Sequence, residues 1–173
     1  MSIENTPGTE NDRAATARAQ WDKEMPGQDL DPMVLLGRLN EAAQMILNNH
    51  IGPVFKTAQL KQGEFDVLAT LVRSGPPYKL MPTDLYKSTM MSSGGMTARL
   101  DRLEKAGYIT RCSHPSDRRA LMVCLSETGL SVIKNLMPEY IACQVKLVSG
   151  LDRSEVHTLS HLLGKLIATN GQE

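Results

Sequence analysis

The sequence predicts a mainly α-helical protein that carries one small β-hairpin. Over most of the chain the apolar residues recur at helical spacing, as they do at Phe65, Leu68 and Val72. Two short segments, 108–113 and 120–125, have the length of strands and flank a polar turn. The chain has 173 residues, of which 41% are hydrophobic, and this is enough for one compact domain with an added helical arm.

Prolines, glycines and capping residues predict where the helices begin and end. Asp31 before Pro32 is expected to cap a long helix, and Gly107 is expected to end the helix before the first strand. Ser126 caps the helix after the second strand, and Asp152 begins a capping-box pattern. The predicted helices span residues 12–24, 31–55, 62–73, 82–87, 92–106, 126–148 and 152–168.

The middle of the chain has the pattern of a DNA-binding protein. The helices 82–87 and 92–106 form a helix-turn-helix, and the hairpin that follows ends in a basic tip at 115–119. The chain is neutral overall, with 19 Lys and Arg against 19 Asp and Glu. Between Lys79 and Arg119, however, eight Lys and Arg stand against four Asp and Glu. This asymmetry predicts a DNA-binding face on an acidic body.

Several other classes of protein are disfavoured. No apolar run approaches the ~20 residues of a membrane span, so a cytoplasmic protein without a membrane partner is expected. Cys112, Cys124 and Cys143 lack CxxC spacing and are expected to be reduced thiols. The chain shows no glycine-rich phosphate loop and no GxSxG motif, so we expect neither an enzyme nor a bound cofactor or metal.

Five local motifs occur in a fixed order along the chain. They are MPTDL at 81–85, SSGGMT at 92–97, LEKAGYI at 103–109, DRR at 117–119 and LSETG at 125–129. The ordered set resembles the MarR family of winged-helix transcription regulators, over nearly the whole chain. The sequence departs from that family at Lys61, where a Ser or Thr cap is usual.

The resemblance implies a winged helix-turn-helix lobe plus a helical dimerisation region. In a homodimer of this kind, the outer N- and C-terminal helices interleave and hold two lobes at a fixed separation. The expected organisation is a mobile tail at 1–11, N-terminal dimerisation helices at 12–60, a DNA-binding lobe at 61–126 and C-terminal dimerisation helices at 127–173.

The recognition helix and the wing supply the expected contacts to double-stranded DNA. Leu100 and Leu103 belong to an apolar stripe, with Met96, that must face the core, so the first turns are left for the major groove. Asp117 can hold and aim an arginine of the wing tip by an ion pair, and the resemblance implies that this arginine enters the minor groove. The predicted DNA-binding residues are Ser92, Ser93, Gly94, Gly95, Thr97, Arg102, Arg118 and Arg119, with Arg119 at the tip and Arg118 on a phosphate.

A second group of residues suggests a ligand site. Arg99 lies at the edge of the apolar stripe and needs a partner, which Asp66 can supply. Trp21 offers a stacking surface, and Arg111 offers a second guanidinium. By position these four residues match a branch of the family that has an extended N-terminal helix and responds to urate. The resemblance therefore implies a small anionic aromatic ligand, either urate or a phenolic acid.

The predicted function is a repressor that leaves a pseudo-palindromic operator when the ligand favours a dimer with misplaced recognition helices. Three alternatives remain open. A redox-sensing regulator would use Cys112 as a low-pKa thiol, although the sequence shows no obvious resolving cysteine. A metal sensor would use His157 and His161, which are one helical turn apart. A structural adaptor would form the helical dimer without preferring a palindromic duplex.

Overall fold

The computed structural model describes residues 12–89, 95–113 and 120–171. These residues form a mainly helical fold with a small antiparallel sheet, so the predicted fold class is confirmed. The predicted tail at 1–11 lies outside the described residues. The helices are α1 (Arg13–Glu24), α2 (Asp31–Met45), α3 (Gly52–Thr57), α4 (Gln62–Arg73), α5 (Pro82–Ser88), α6 (Met96–Lys105), α7 (Glu127–Leu147) and α8 (Arg153–Asn170); the strands are β1 (Lys79–Leu80), β2 (Ile109–Ser113) and β3 (Leu121–Leu125).

The chain divides into two compact units, residues 1–49 and 50–173. The described part of the first unit is a hairpin of α1 and α2. Asp12 accepts a hydrogen bond from the backbone N–H of Ala15 at 2.8 Å, which caps α1, and pairs with Arg38 of α2 at 2.7 Å. Both contacts lower the pKa of Asp12, and the Arg38 hydrogen bond has the larger effect. Arg18 of α1 pairs with Asp31 of α2 at 2.6 Å, so ion pairs link the two helices at two levels.

The predicted helix 31–55 is wrong in two details. Asp31 is the first helical residue and Leu30 the N-cap, one position earlier than predicted. A π-helical turn, Ile46–Ile51, separates α2 from α3. Pro53 explains the turn, because a proline has no N–H to donate and its ring crowds the carbonyl four residues before it. A wider turn ahead of Pro53 lets the chain continue as a helix.

Helix α4 is the centre of the second unit. Its bounds are those predicted, and it contacts α3, α5, α6, α7 and β3. Leu68 and Leu71 of α4 have no exposed surface, and Leu103 of α6 and Ile133 of α7 are almost completely buried. On the flank toward α3 and α7, Phe55 stacks on Phe65 with ring centroids 4.4 Å apart, and Tyr140 of α7 packs on both rings. Helix α4 thus lies in contact with both α6, the predicted recognition helix, and α7.

The sheet has the order β1-β3-β2, with both pairings antiparallel. The two strands of the predicted hairpin are confirmed, each starting one residue later than predicted. The third strand, β1, was not predicted because two residues carry too little pattern. Ser126 caps α7 by accepting from the backbone N–H of Gly129, and Asp152 and Glu155 form the predicted capping box of α8.

Two of the three cysteines are bonded to each other, so the expectation of three reduced thiols is wrong. Cys112 of β2 and Cys124 of β3 form a disulfide, and Cys143 of α7 is free. The strand register brings the two together: Cys112 lies opposite Met122 and Cys124 lies opposite Thr110. Spacing along the sequence did not reveal a pair that only the register creates.

None of the described helices has the length and apolar character needed to cross a membrane. The apolar surface of the C-terminal helices is nevertheless extensive. Helix α8 has no buried residue over its 18 positions. The exposed large apolar residues of this region are Ile141, Val145, Val148, Leu151, Leu159, Leu162, Leu166 and Ile167.

Candidate nucleic-acid interface

The recognition helix α6 begins at Met96 and not at Ser92 as predicted. Its N-cap is Gly95, whose φ of +81° lies in the left-handed region and cannot belong to a right-handed helix. Gly95 and Thr97 are exposed, whereas Leu100 and Leu103 are buried on the opposite side of the helix. The predicted core stripe is confirmed at these two leucines. In the first turn of α6, Thr97 and Ala98 are exposed, whereas Met96 and Arg99 are half-buried.

An ion pair fixes α6 to the start of α4. The Nε of Arg102 donates to Oε1 of Glu64 at 2.5 Å, and the backbone N–H of Lys61 donates to Oε2 at 2.8 Å. The Glu64 side chain is 8% exposed and the Arg102 side chain 47% exposed. Burial alone would raise the pKa of Glu64, but the hydrogen bonds from Arg102 and Lys61 outweigh it and hold the pKa below its ordinary value of 4.5. Glu64 is therefore an ionised anchor for α6.

Arg99 lies against the same end of α4. A Cβ atom at Gly63 would lie 2.5 Å from Arg99 Nε and 2.9 Å from Arg99 Cδ. With glycine at position 63, the Arg99 side chain packs directly against the backbone of α4, and a larger residue there would require it to move. Arg99 is half-buried, in agreement with its predicted place at the edge of the apolar stripe.

Arg111 binds two carboxylates on the opposite flank of α6. Its guanidinium lies 2.5 Å from Asp101 and 2.7 Å from Glu104. The hydrogen bond to Asp101 and the charge of Glu104 raise the pKa of Arg111 further. Strand β2 is thereby tied to the recognition helix, and any anion that binds Arg111 must compete with two carboxylates.

The remaining predicted ligand residues lie in different units. Asp66 is half-buried on α4. The pKa of Tyr140 is raised, mainly by the burial of Tyr140 itself and to a smaller extent by the charge of Asp66. Trp21 is on α1 in the first unit and is 46% exposed. The predicted pairing of Asp66 with Arg99 and the assembly of the four-residue ligand set stay predictions.

Several predicted DNA contacts fall on residues whose structure is not described. These are Ser92, Ser93 and Gly94 before α6, and Asp117, Arg118 and Arg119 at the hairpin tip. Among the described residues, no group of three or more His, Cys, Asp or Glu side chains is placed to hold a metal ion.

Two site residues were missed in the sequence. Glu64 occupies the third position of α4, where a carboxylate caps a helix by accepting the N–H of the N-cap residue. Because position 61 is Lys and not the Ser or Thr that usually begins a capping box, the sequence does not indicate that Glu64 caps α4. No local pattern in the sequence indicates the role of Gly63, because that role depends on Arg99, which is 36 positions away in the sequence.

Comparison with known proteins identifies the family. The model of the MarR family matches residues 58–120, which run from the end of α3 through α4, β1, α5, α6 and β2 to the residue before β3. The transcriptional regulator PecS of Dickeya dadantii is 33% identical over 147 residues, covering 85% of this chain and 88% of PecS. This chain belongs to the MarR family. The multiple antibiotic resistance protein MarR of Salmonella typhimurium is 31% identical over 141 residues, covering 78% of this chain and 92% of that protein.

Two solved structures share the fold of this chain. A mutant of MarR from Escherichia coli, complexed with operator DNA, superposes with a TM-score of 0.63 at 24% identity, covering 85% of this chain and 97% of that one. BpsR of Bordetella bronchiseptica, whose DNA binding is regulated by 6-hydroxynicotinic acid, gives a TM-score of 0.65 at 22% identity, covering 82% of this chain and 96% of that one. The MarR-family chain described here is a DNA-binding transcription regulator, not an enzyme.

Replacing Glu64 by Gln tests the anchor of α6. The folded-state pKa of Glu64 lies below its ordinary value, so its charge stabilises the fold above that value and the effect is lost as the pH falls through the folded pKa. We expect the free energy of unfolding of the variant to be lower by about 2 kcal/mol at neutral pH, and the gap to close in strong acid. Urea denaturation monitored by circular dichroism measures the loss at neutral pH and the size of the gap in acid. The exposed Glu139→Gln is the control, and a gap that does not change with pH would contradict the ionised anchor.

Proposed function

We propose that this chain is a repressor that binds a pseudo-palindromic operator as a homodimer and is released by a small anionic aromatic ligand such as urate. The observation that carries the proposal is the recognition helix α6, which exposes Thr97 and Ala98 in its first turn while salt bridges join it to α4 and β2. Membership of the MarR family supports DNA as the partner. A similar fold bound to operator DNA gives the same support.

The exposed start of α6 suits the major groove. Gly95 and Thr97 offer a close backbone approach and a small hydroxyl group, and Ser92, Ser93 and Gly94 extend that polar turn in the sequence. The wing tip supplies Arg119 for the minor groove and Arg118 for a phosphate, with Asp117 orienting the tip. Arg102, which is 47% exposed while bound to Glu64, is available to a phosphate at its outer face.

The exposed apolar surface of α7 and α8 supports a homodimer. An 18-residue helix without a buried residue contributes little to the packing of one chain. Large apolar patches on a protein surface mark places where another chain binds. Two copies joined through this surface would present two α6 helices to successive major grooves, as a pseudo-palindromic operator requires.

An anion bound by the predicted ligand residues could change the position of α6. A ligand that binds Arg99 acts on the helix that reads DNA, and one that binds Arg111 competes with Asp101 and Glu104 for the tie to the wing. Trp21 and Asp66 complete the proposed set as a stacking surface and a hydrogen-bond acceptor. BpsR, which responds to a hydroxylated aromatic acid, supports this class of ligand. A ligand that prefers the DNA-free form by about 1–3 kcal/mol would lower the affinity for DNA by a factor between about 5 and 150.

Replacing Arg119 by Ala tests the DNA-binding role of the wing. We expect the variant to bind the DNA upstream of its own gene more weakly by about 1–3 kcal/mol, because a cation is lost from the minor groove. Fluorescence anisotropy against a scrambled duplex measures the loss, and Arg153→Ala on α8 is the control. Equal binding by Arg119→Ala and wild type would refute the wing contact. No preference of the wild type for the upstream DNA would refute the proposed function.

Replacing Arg99 by Ala tests the ligand role. Urate is expected to release the wild type from DNA and to quench the fluorescence of Trp21, the only tryptophan in the chain. The variant should keep its fold and its DNA affinity but lose both responses, whereas the exposed Lys134→Ala should keep them. Titration with salicylate in parallel separates urate from phenolic acids. A fully responsive Arg99→Ala variant would exclude this site, and a wild type insensitive to both compounds would exclude this class of ligand.

A further inference from the structure

The wing hairpin places two cysteines on one face of the sheet. Because Cys112 lies opposite Met122 and Cys124 opposite Thr110, the two cysteines are diagonal neighbours on adjacent strands. Their Cα atoms are 6.4 Å apart, within the range that a disulfide spans without a change of the backbone. The bond between them coexists with an unbroken ladder from Ile109–Leu125 to Ser113–Leu121.

The bond joins the edge strand of the sheet to the central strand. Strand β3 pairs on both sides, with β1 at Lys79 and Leu80 and with β2 along its full length. Within the described part of the chain, strand β2 pairs with β3 alone, so it is the edge strand and is held in the sheet by hydrogen bonds along one side. Cys124 is 5% exposed and Cys112 is half-buried, so Cys112 is the more accessible residue of the two.

We propose that Cys112 and Cys124 are a reversible dithiol–disulfide pair that a hydroperoxide oxidises and that sets how firmly the wing is held. The thiolate of Cys112 attacks a peroxide oxygen, which gives a sulfenic acid and, with hydrogen peroxide, one water. The sulfur of Cys124 then displaces the oxygen as a second water, and the S–S bond forms. Two thiols are oxidised and one peroxide is reduced. Thiol–disulfide exchange with a small dithiol reverses the reaction.

The consequence for DNA rests on the wing role proposed above. A covalent link from β2 to β3 removes conformations from the free hairpin, so less freedom is lost when the wing settles on the duplex. The disulfide form therefore binds operator DNA more tightly than the dithiol form, by about 3- to 10-fold. Oxidation therefore opposes release from DNA, and it acts on strand β2, which also carries the proposed ligand residue Arg111.

Mass spectrometry tests the chemistry without DNA. The full-length protein is reduced with dithiothreitol, treated with hydrogen peroxide, alkylated with iodoacetamide and digested. We expect Cys112 and Cys124 to be recovered as one linked peptide pair, Cys143 to be alkylated, and dithiothreitol to restore alkylation at all three. Cys143→Ser should behave as the wild type, and Cys112→Ser should leave Cys124 alkylated. Alkylation of both Cys112 and Cys124 after peroxide, or linkage of either to Cys143, would overturn the pair.

Anisotropy on the reduced and oxidised protein tests the consequence. The wild type and Cys143→Ser are expected to bind upstream DNA more tightly after oxidation, and Cys112→Ser to bind equally in both states. Equal affinity of the two wild-type states would overturn the effect on DNA. Because the linked peptide is measured separately, that result is distinct from a failure of the proposed repressor to bind DNA at all.

Discussion

The ion pair between Glu64 and Arg102 is the constraint on which the DNA-binding lobe depends. One carboxylate oxygen caps α4 at Lys61 and the other holds Arg102 of α6. The same residue thus begins the central helix of the lobe and fixes the recognition helix against it. Helix α4 also packs on α7, which leads into the proposed dimer surface. The orientation of α6 is therefore coupled through α4 to α7. Close by, Gly63 leaves room for Arg99, so the start of α4 is shaped around α6.

The cations of this region perform two different tasks. In the sequence, the excess of Lys and Arg between 79 and 119 predicts a DNA-binding face. In the structure, Arg102 and Arg111 are bound to carboxylates of the same lobe, and Arg111 uses two of them. Two of the eight cations between 79 and 119 therefore hold α6 in position. In the proposed response, a ligand anion at Arg111 would compete for the ion pairs that tie β2 to α6.

The parts of the fold with local chemical signals were predictable, and those that depend on distant partners were not. The bounds of α4 and the capping box at Asp152 follow from patterns within a few residues, and both are confirmed. The ion pair of Glu64 joins positions 38 residues apart, and no local pattern indicates such a partner. The pairing of Cys112 with Cys124 requires the strand register. Of the candidate site, the buried face of α6 at Leu100 and Leu103 was predictable from its apolar spacing, whereas the start of α6 at Met96 depends on the backbone conformation of Gly95.

A double-mutant cycle on Glu64 and Arg102 tests the central claim most directly. The free energy of unfolding is measured by urea denaturation for the wild type, Glu64→Gln, Arg102→Gln and the double variant. If the pair anchors α6, each single variant leaves a partner without its counter-charge, and the double variant loses less than the sum of the two by about 1 kcal/mol or more. Losses that add to within about 0.5 kcal/mol would contradict the account, because the two side chains would then stabilise the lobe independently.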